Sequence, residues 1–385
     1  MLATEATLGT TRLVEAVHAA VWALVVPGAS GRPSRTAGLT GWIYRAVRGL
    51  TRLSGRSAAG ALRAVGALAA APPPSDSAAR LRLLSVLNGV VGDYLAASDS
   101  PLALPFSFHT PDGRPFDPDA PLPAGTDTLA VFVHGLCLSD HDWFPSAGRR
   151  TGLVEAVSAA VDGPAVLARY NTGRPIRENG RMLAEHLASW VDRPTGPSRL
   201  VLVTHSMGGL VARSAVRHAR RTGACWPALV TETIYLGTPH RGAPLERSGA
   251  WIEEQLRRAP VTAPFAGLAD LRSQGIQDLR EGALRPPEAS RPASSTPRTA
   301  PDLAPGRALY VAAALTADRR ARDTIGDGLV PVASALDRPP SAASFSPAPP
   351  QTTRRVVEGC GHLALLRDPA VTAQVRRWLS TPTEG

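Results

Sequence analysis

The 385-residue chain has no lysine: all 42 of its basic side chains are arginine, set against 32 acidic ones. The formal charge of +10 at pH 7 invites a nucleic-acid reading, but only 5% of residues are aromatic. No RNA-binding or zinc-finger pattern occurs either, so no nucleic-acid partner is expected. With abundant Ala, Gly and Pro, the arginine excess reads as the bias of a GC-rich genome. The three cysteines, Cys137, Cys225 and Cys360, are too few and too scattered for a disulfide framework. Histidines are dispersed, without HExxH or paired CxxC spacing, and neither a metal nor a cofactor is expected. No run of about 20 apolar residues exists, which excludes a transmembrane helix. The apolar stretch from Ala19 to Val26, with Glu5 and Glu15 before it, is a poor secretory signal. The expected location is cytoplasmic, with export and peripheral membrane contact through the Trp22 or Trp42 faces left open.

What is present points to chemistry. Leu200-Val201-Leu202-Val203 is an apolar, strand-like run, followed by Thr204-His205-Ser206-Met207-Gly208-Gly209 and then the helical pattern from Leu210. Strand, tight turn and helix around a central Ser describe a nucleophile elbow. The usual pattern is G-x-S-x-G, and Thr204 stands where the first Gly would be. Upstream, the strand-like run from Thr128 to Val133 ends in His134-Gly135-Leu136. Downstream lie an acid in a tight loop, Gly326-Asp327-Gly328, and then Gly359-Cys360-Gly361-His362 after the run Arg354 to Glu358. Asp323 and Asp337 are rivals for the acid.

These residues resemble the α/β-hydrolase superfamily, and within it the bacterial lipase/esterase branch related to inositol-deacylase-like proteins. Tyr235-Leu236-Gly237-Thr238-Pro239-His240-Arg241-Gly242 looks like a segment common in that branch, as do Arg169-Tyr170-Asn171-Thr172-Gly173 and Glu178-Asn179-Gly180. The likeness runs from about Thr128 to Leu379. It implies catalytic Ser206, Asp327 and His362, in the chain order usual for that fold, and an oxyanion hole made by the Leu136 and Met207 amides. It also implies an ester or lipid as the small-molecule substrate. An acyltransferase on the same scaffold and a non-catalytic, hydrolase-like binding scaffold stay open, and the sequence leaves the oligomeric state undetermined.

The organisation is readable at coarse resolution. A hydrophobic content of 44% with 19% charge is that of a globular chain, and its length suits one α/β domain with an appendage. Residues 1–100 read as a helical extension, with helices at 11–26, 39–53 and 77–97; residues 101–385 read as the hydrolase domain. Strands are expected at 128–134, 165–170, 199–204, 230–236, 308–314 and 353–358, and helices near 148–161, 177–192, 208–222 and 369–379. This alternation predicts a mainly parallel sheet with helices on both faces. Phe106 to Phe116 predicts an edge hairpin turning at Pro111-Asp112-Gly113. The insertion 241–305 sits where a lid would, helical in its first part and Pro/Ser/Ala-rich in its second, a composition expected of a disordered loop.

Overall fold

The computed structural model describes residues 78–144, 152–243, 273–281, 303–318, 322, 325–338 and 351–381. The expected helices at 11–26 and 39–53, most of the 241–305 insertion, Asp323 and residues 339–350 lie outside these residues.

The strands are β1 (Ser107–His109), β2 (Thr128–Val133), β3 (Ala165–Arg169), β4 (Arg199–His205), β5 (Val230–Leu236), β6 (Arg307–Ala314) and β7 (Thr352–Glu358). They form one seven-stranded sheet in the order β1-β3-β2-β4-β5-β6-β7. Only β1 runs antiparallel to its neighbour, pairing Ser107 with Arg169 and His109 with Leu167. The expected hairpin is short: Phe116 N–H donates to the Phe108 carbonyl, and His109 bridges Pro115. All other pairings are parallel.

A parallel strand covered on both faces must be apolar at every position, which is why β2 and β4 read as continuous Val/Leu/Ala runs. Their side chains alternate between two layers. On one face, Leu129, Val131 and Val133 of β2 and Leu200 and Leu202 of β4 meet helices α3 (Ile176–Val191) and α4 (Met207–Thr222) through Leu183, Leu187, Val211 and Ala215. On the other, Ala130, Phe132, Val201 and Val203 meet Val154 and Val157 of α2 (Leu153–Val161) and Val371 and Val375 of α7 (Pro369–Leu379). Phe132 is fully buried, and truncating it to Ala would cost about 3–5 kcal/mol.

Local signals end these helices where the sequence suggests. Gly223, at φ 75°, terminates α4 after Arg220 and Arg221, whose charge suits the helix C-terminus. Asp368 caps α7 by accepting from Ala370 N–H, with Pro369 at the first helical position.

Helix α1 (Ala78–Ala97) matches the third expected helix and shares the core through Val86 and Val90. Helix α5 (Gln274–Glu281) lies within the insertion, and α6 (Val332–Ala335) follows the Asp327 loop. Among the described residues, no helix is long and apolar enough to cross a membrane.

Candidate active site

Strand β4 lies at the centre of the sheet and ends at His205, and α4 begins at Met207. Ser206 joins them with φ 54° and ψ −126°, a conformation that costs a non-Gly residue about 1–3 kcal/mol. The surroundings hold it there: Ser206 N–H donates to the Leu236 carbonyl at 2.8 Å, and Gly209 N–H donates to the Ser206 carbonyl at 3.1 Å. Thr204, the departure from the usual pattern, turns its hydroxyl onto the Ile234 carbonyl at 2.9 Å on the neighbouring strand. The glycines of the turn answer to close approach. A Cβ on Gly208 would run into the Val133 carbonyl, and one on Gly135 would lie 2.8 Å from Ser206 Cβ.

Three sequence-predicted side chains meet here. Ser206 Oγ lies 2.9 Å from His362 Nε2, and His362 Nδ1 lies 2.7 Å from Asp327 Oδ2. A carboxylate only accepts, so Nδ1 carries the proton and Nε2 is left to accept from the Ser206 hydroxyl. Asp327 is fixed in turn by the Leu329 and Val330 amides, which donate to Oδ1 at 3.0 and 2.7 Å. Its rival Asp337 is engaged elsewhere, 3.4 Å from Arg241 Nε and 3.8 Å from Arg213 Nη1.

The two predicted oxyanion amides belong to the residue after Ser206 and to the residue after Gly135. Met207 N–H is the first amide of α4 and carries the positive end of the helix dipole. Leu136 follows Gly135, the residue packed against Ser206 Cβ. Neither amide donates to an acceptor among the described residues. The loop bearing Leu136 is tied down around it. Tyr170 Oη donates to the His134 carbonyl at 2.6 Å, and the Tyr170 ring stacks on the His134 imidazole at 4.5 Å. Cys137 N–H donates to Thr172 Oγ1 at 3.1 Å. Arg169 grips Asp140 with two parallel bonds of 2.8 and 2.9 Å, both side chains buried.

Sequence reading left several of these supports unassigned. The R-Y-N-T-G string marked Tyr170 and Thr172 without giving them a task. His205 also has one: its Nε2–H donates to the His362 carbonyl at 3.1 Å, while His362 N–H donates to the Asp327 carbonyl at 3.2 Å. Burial, reinforced by the nearby His362, holds the His205 pKa well below 6.5, so this imidazole is neutral. Burial lowers His134 as well. His240 accepts from Arg213 Nη1 at 2.9 Å and is kept neutral chiefly by burial, with help from the surrounding arginines. Burial drives the Cys137 thiol up to about 12, too high for a thiolate nucleophile at neutral pH.

A serine hydroxyl hydrogen-bonded to an unprotonated imidazole nitrogen is the arrangement of a nucleophile beside its base. Residues 130–375 match the model of a family described as the alpha/beta hydrolase family. Among solved structures, the chain is similar to the mature lipase BlEst2 of Bacillus licheniformis, at 18% identity and TM-score 0.43, over 72% of this chain and 98% of that one. It is also similar to carboxylesterase CesB (YbfK) of Bacillus subtilis, at 14% identity and TM-score 0.41, over 78% and 99%. A thermophilic esterase from Thermogutta terrifontis aligns at 17% identity and TM-score 0.38, over 71% and 92%. Comparison with curated proteins gave no match.

Proposed function

The chain belongs to the alpha/beta hydrolase family, and from that premise we propose that it is a serine esterase or lipase cleaving carboxylic esters with a lipophilic part. The observation that carries this reading is the hydrogen-bonded chain from Ser206 Oγ through His362 to Asp327, with Ser206 strained at the head of α4. A serine hydroxyl is a weak nucleophile near neutral pH and needs a base to take its proton. His362 Nε2 accepts that proton as Oγ bonds to the ester carbon. The carbonyl oxygen becomes an oxyanion held by the Leu136 and Met207 amides, and losing one such donor typically costs about 2.7–4 kcal/mol. Asp327 orients the imidazole and stabilises its charged form. His362 then gives its proton to the departing alcohol, leaving an acyl-serine. Water, deprotonated by the same His362, attacks the acyl carbon and restores Ser206 as the carboxylic acid leaves.

The lipophilic preference rests on what borders the acid loop. Large exposed hydrophobics are few among the described residues, and two of them, Leu315 and Ile325, flank Asp327. Leu315 also reaches towards Gly361, next to His362. The test is hydrolysis of p-nitrophenyl esters from acetyl to palmitoyl by wild type and Ser206→Ala. The reading expects turnover by wild type, none by the folded variant, and a preference for the longer chains. A folded wild type inert at every length, with detergent present, would sink it in favour of acyl transfer or a binding scaffold.

A further inference from the structure

Gly135, Leu136, Cys137 and Leu138 form a tight turn closed by Leu138 N–H donating to the Gly135 carbonyl at 3.3 Å. The third residue of the turn, Cys137, sits at φ 60°, where the favoured residue is Gly or Asn. A β-substituted residue at such a φ costs about 1–2 kcal/mol, so something must hold it there. Part of the answer is the bond from Cys137 N–H to Thr172 Oγ1. The rest is steric. The buried Cys137 side chain is pressed against helix α1, its Sγ 4.0 Å from the Val86 carbonyl. The helix offers a glycine at that point: a Cβ on Gly89 would overlap Cys137 Sγ and lie 3.0 and 3.1 Å from Cys137 Cα and N.

Helix α1 is itself shaped for this contact. It breaks its helical geometry at Val91, with φ −133° and ψ 22°, two residues beyond Gly89. There Asn171 Nδ2 donates to the Gly92 carbonyl at 2.8 Å. Ser273, just before α5, donates to the Gly89 carbonyl at 2.7 Å. Helix α1 is thus tied both to the loop after β3 and to the insertion, with the Cys137 side chain packed against it.

We propose that Cys137 is a positioning residue: wedged against Gly89 of α1, it holds the turn that aims the Leu136 amide at the oxyanion. The inference rests on the ester-hydrolase reading. It predicts that kcat depends on how the space between Cys137 and Gly89 is filled. Cys137→Gly removes both the wedge and the reason for the strain, and kcat falls about tenfold or more with KM within about twofold, since amide placement acts in the transition state. Gly89→Ala overfills the same space and also lowers kcat. The double variant Gly89→Ala, Cys137→Gly removes the overlap with Sγ but leaves the new methyl 3.0 and 3.1 Å from the Cα and N of residue 137, so kcat recovers above that of Gly89→Ala but stays below wild type.

The experiment measures kcat, KM and thermal midpoint for wild type, Ser206→Ala, Cys137→Gly, Cys137→Ala, Gly89→Ala and the double variant on one p-nitrophenyl ester. Turnover by wild type and its loss in Ser206→Ala establish the hydrolase reading independently. If wild-type kcat then persists in Cys137→Gly and Cys137→Ala, or if thermal midpoints shift while kcat stays put, the contact is packing only and the inference is overturned. Should Gly89→Ala fail to fold, the two Cys137 variants decide the matter. An inert wild type overturns the reading and the inference together.

Discussion

The two flanks of Ser206 are built from different materials. On one side, Asp327 and His362 are joined to Ser206 by side-chain hydrogen bonds between groups whose chemistry is written in their residue types, and His205 donates to the His362 carbonyl. On the other, the Leu136 amide belongs to a turn in which the side chain of Leu136 itself plays no chemical part. Its aim is set by neighbours: the Tyr170 hydroxyl on the His134 carbonyl, Thr172 on the Cys137 amide, and Gly89 beneath Cys137. A catalytic side chain can be removed by changing its own codon; a backbone donor can only be moved through what surrounds it. The first flank should therefore respond to substitution by all-or-none losses of activity, and the second by graded ones.

The largest effect is expected from Ser206→Ala, a loss of kcat on the order of a millionfold with an unchanged thermal midpoint. A variant retaining a tenth of wild-type turnover would remove Ser206 from the chemistry. Asp327→Asn comes next. Its remaining oxygen can still accept from the Leu329 and Val330 amides, but its NH2 cannot accept from His362 Nδ1. The imidazole is left in the wrong tautomer, and kcat drops about ten-thousandfold while the fold persists. Equal losses of kcat and stability would instead make Asp327 a structural residue.

Tyr170→Phe probes the second flank. It deletes the donor to the His134 carbonyl and leaves the ring stacked on His134, so about 1 kcal/mol of stability is lost. The expected fall in kcat is about three- to tenfold, seen in steady-state kinetics alongside urea unfolding. A loss as large as that of Asp327→Asn would erase the contrast between the flanks.

Acid should weaken both flanks, most gradually of all. His205 and His134 are buried neutral with pKa values below 6.5, so as pH falls the unfolded chain takes up protons first. Stability is then complete above about pH 6.5 and declines below it, by at most about 1.4 kcal/mol per pH unit for each imidazole. The decline should continue further for His205, whose pKa is the more depressed. Urea midpoints at pH 7.5, 6.5 and 5.5 read this directly, and a flat series would contradict neutral burial.

Much of the first flank was legible in the sequence. Ser206 announces itself by the strand before it and the helix after it, and Asp327 and His362 by their order and their glycine-rich loops. The strand at 230–236 and the helix at 369–379 coincide with β5 and α7 residue for residue, because alternation and capping are local signals. The choice of Asp327 over Asp337 was not local: it depends on Arg213 and Arg241 pairing with Asp337 from separate parts of the chain. The buried Asp140–Arg169 pair and the seat of Cys137 on α1 were invisible for the same reason. Each joins residues dozens of positions apart that no periodicity relates. The break at Val91 is stranger still to the sequence, since nothing in a Gly-Val-Val-Gly string states which carbonyls Asn171 and Ser273 will claim.

One of these distant contacts bears on how the chain is made. Helix α3 receives its N-terminal cap from Asp278, whose carboxylate accepts from Ile176 N–H at 2.8 Å across 102 residues. A ribosome working from the N-terminus completes α3, β4, Ser206 and α4 long before that carboxylate exists. Until then the helix lacks a cap worth about 0.5–2 kcal/mol, and the layer over the central strand waits for the insertion to be synthesised. The late-arriving segment thereby acts as a clasp on the early one, and a nascent chain stopped short of residue 278 would carry α3 without this cap.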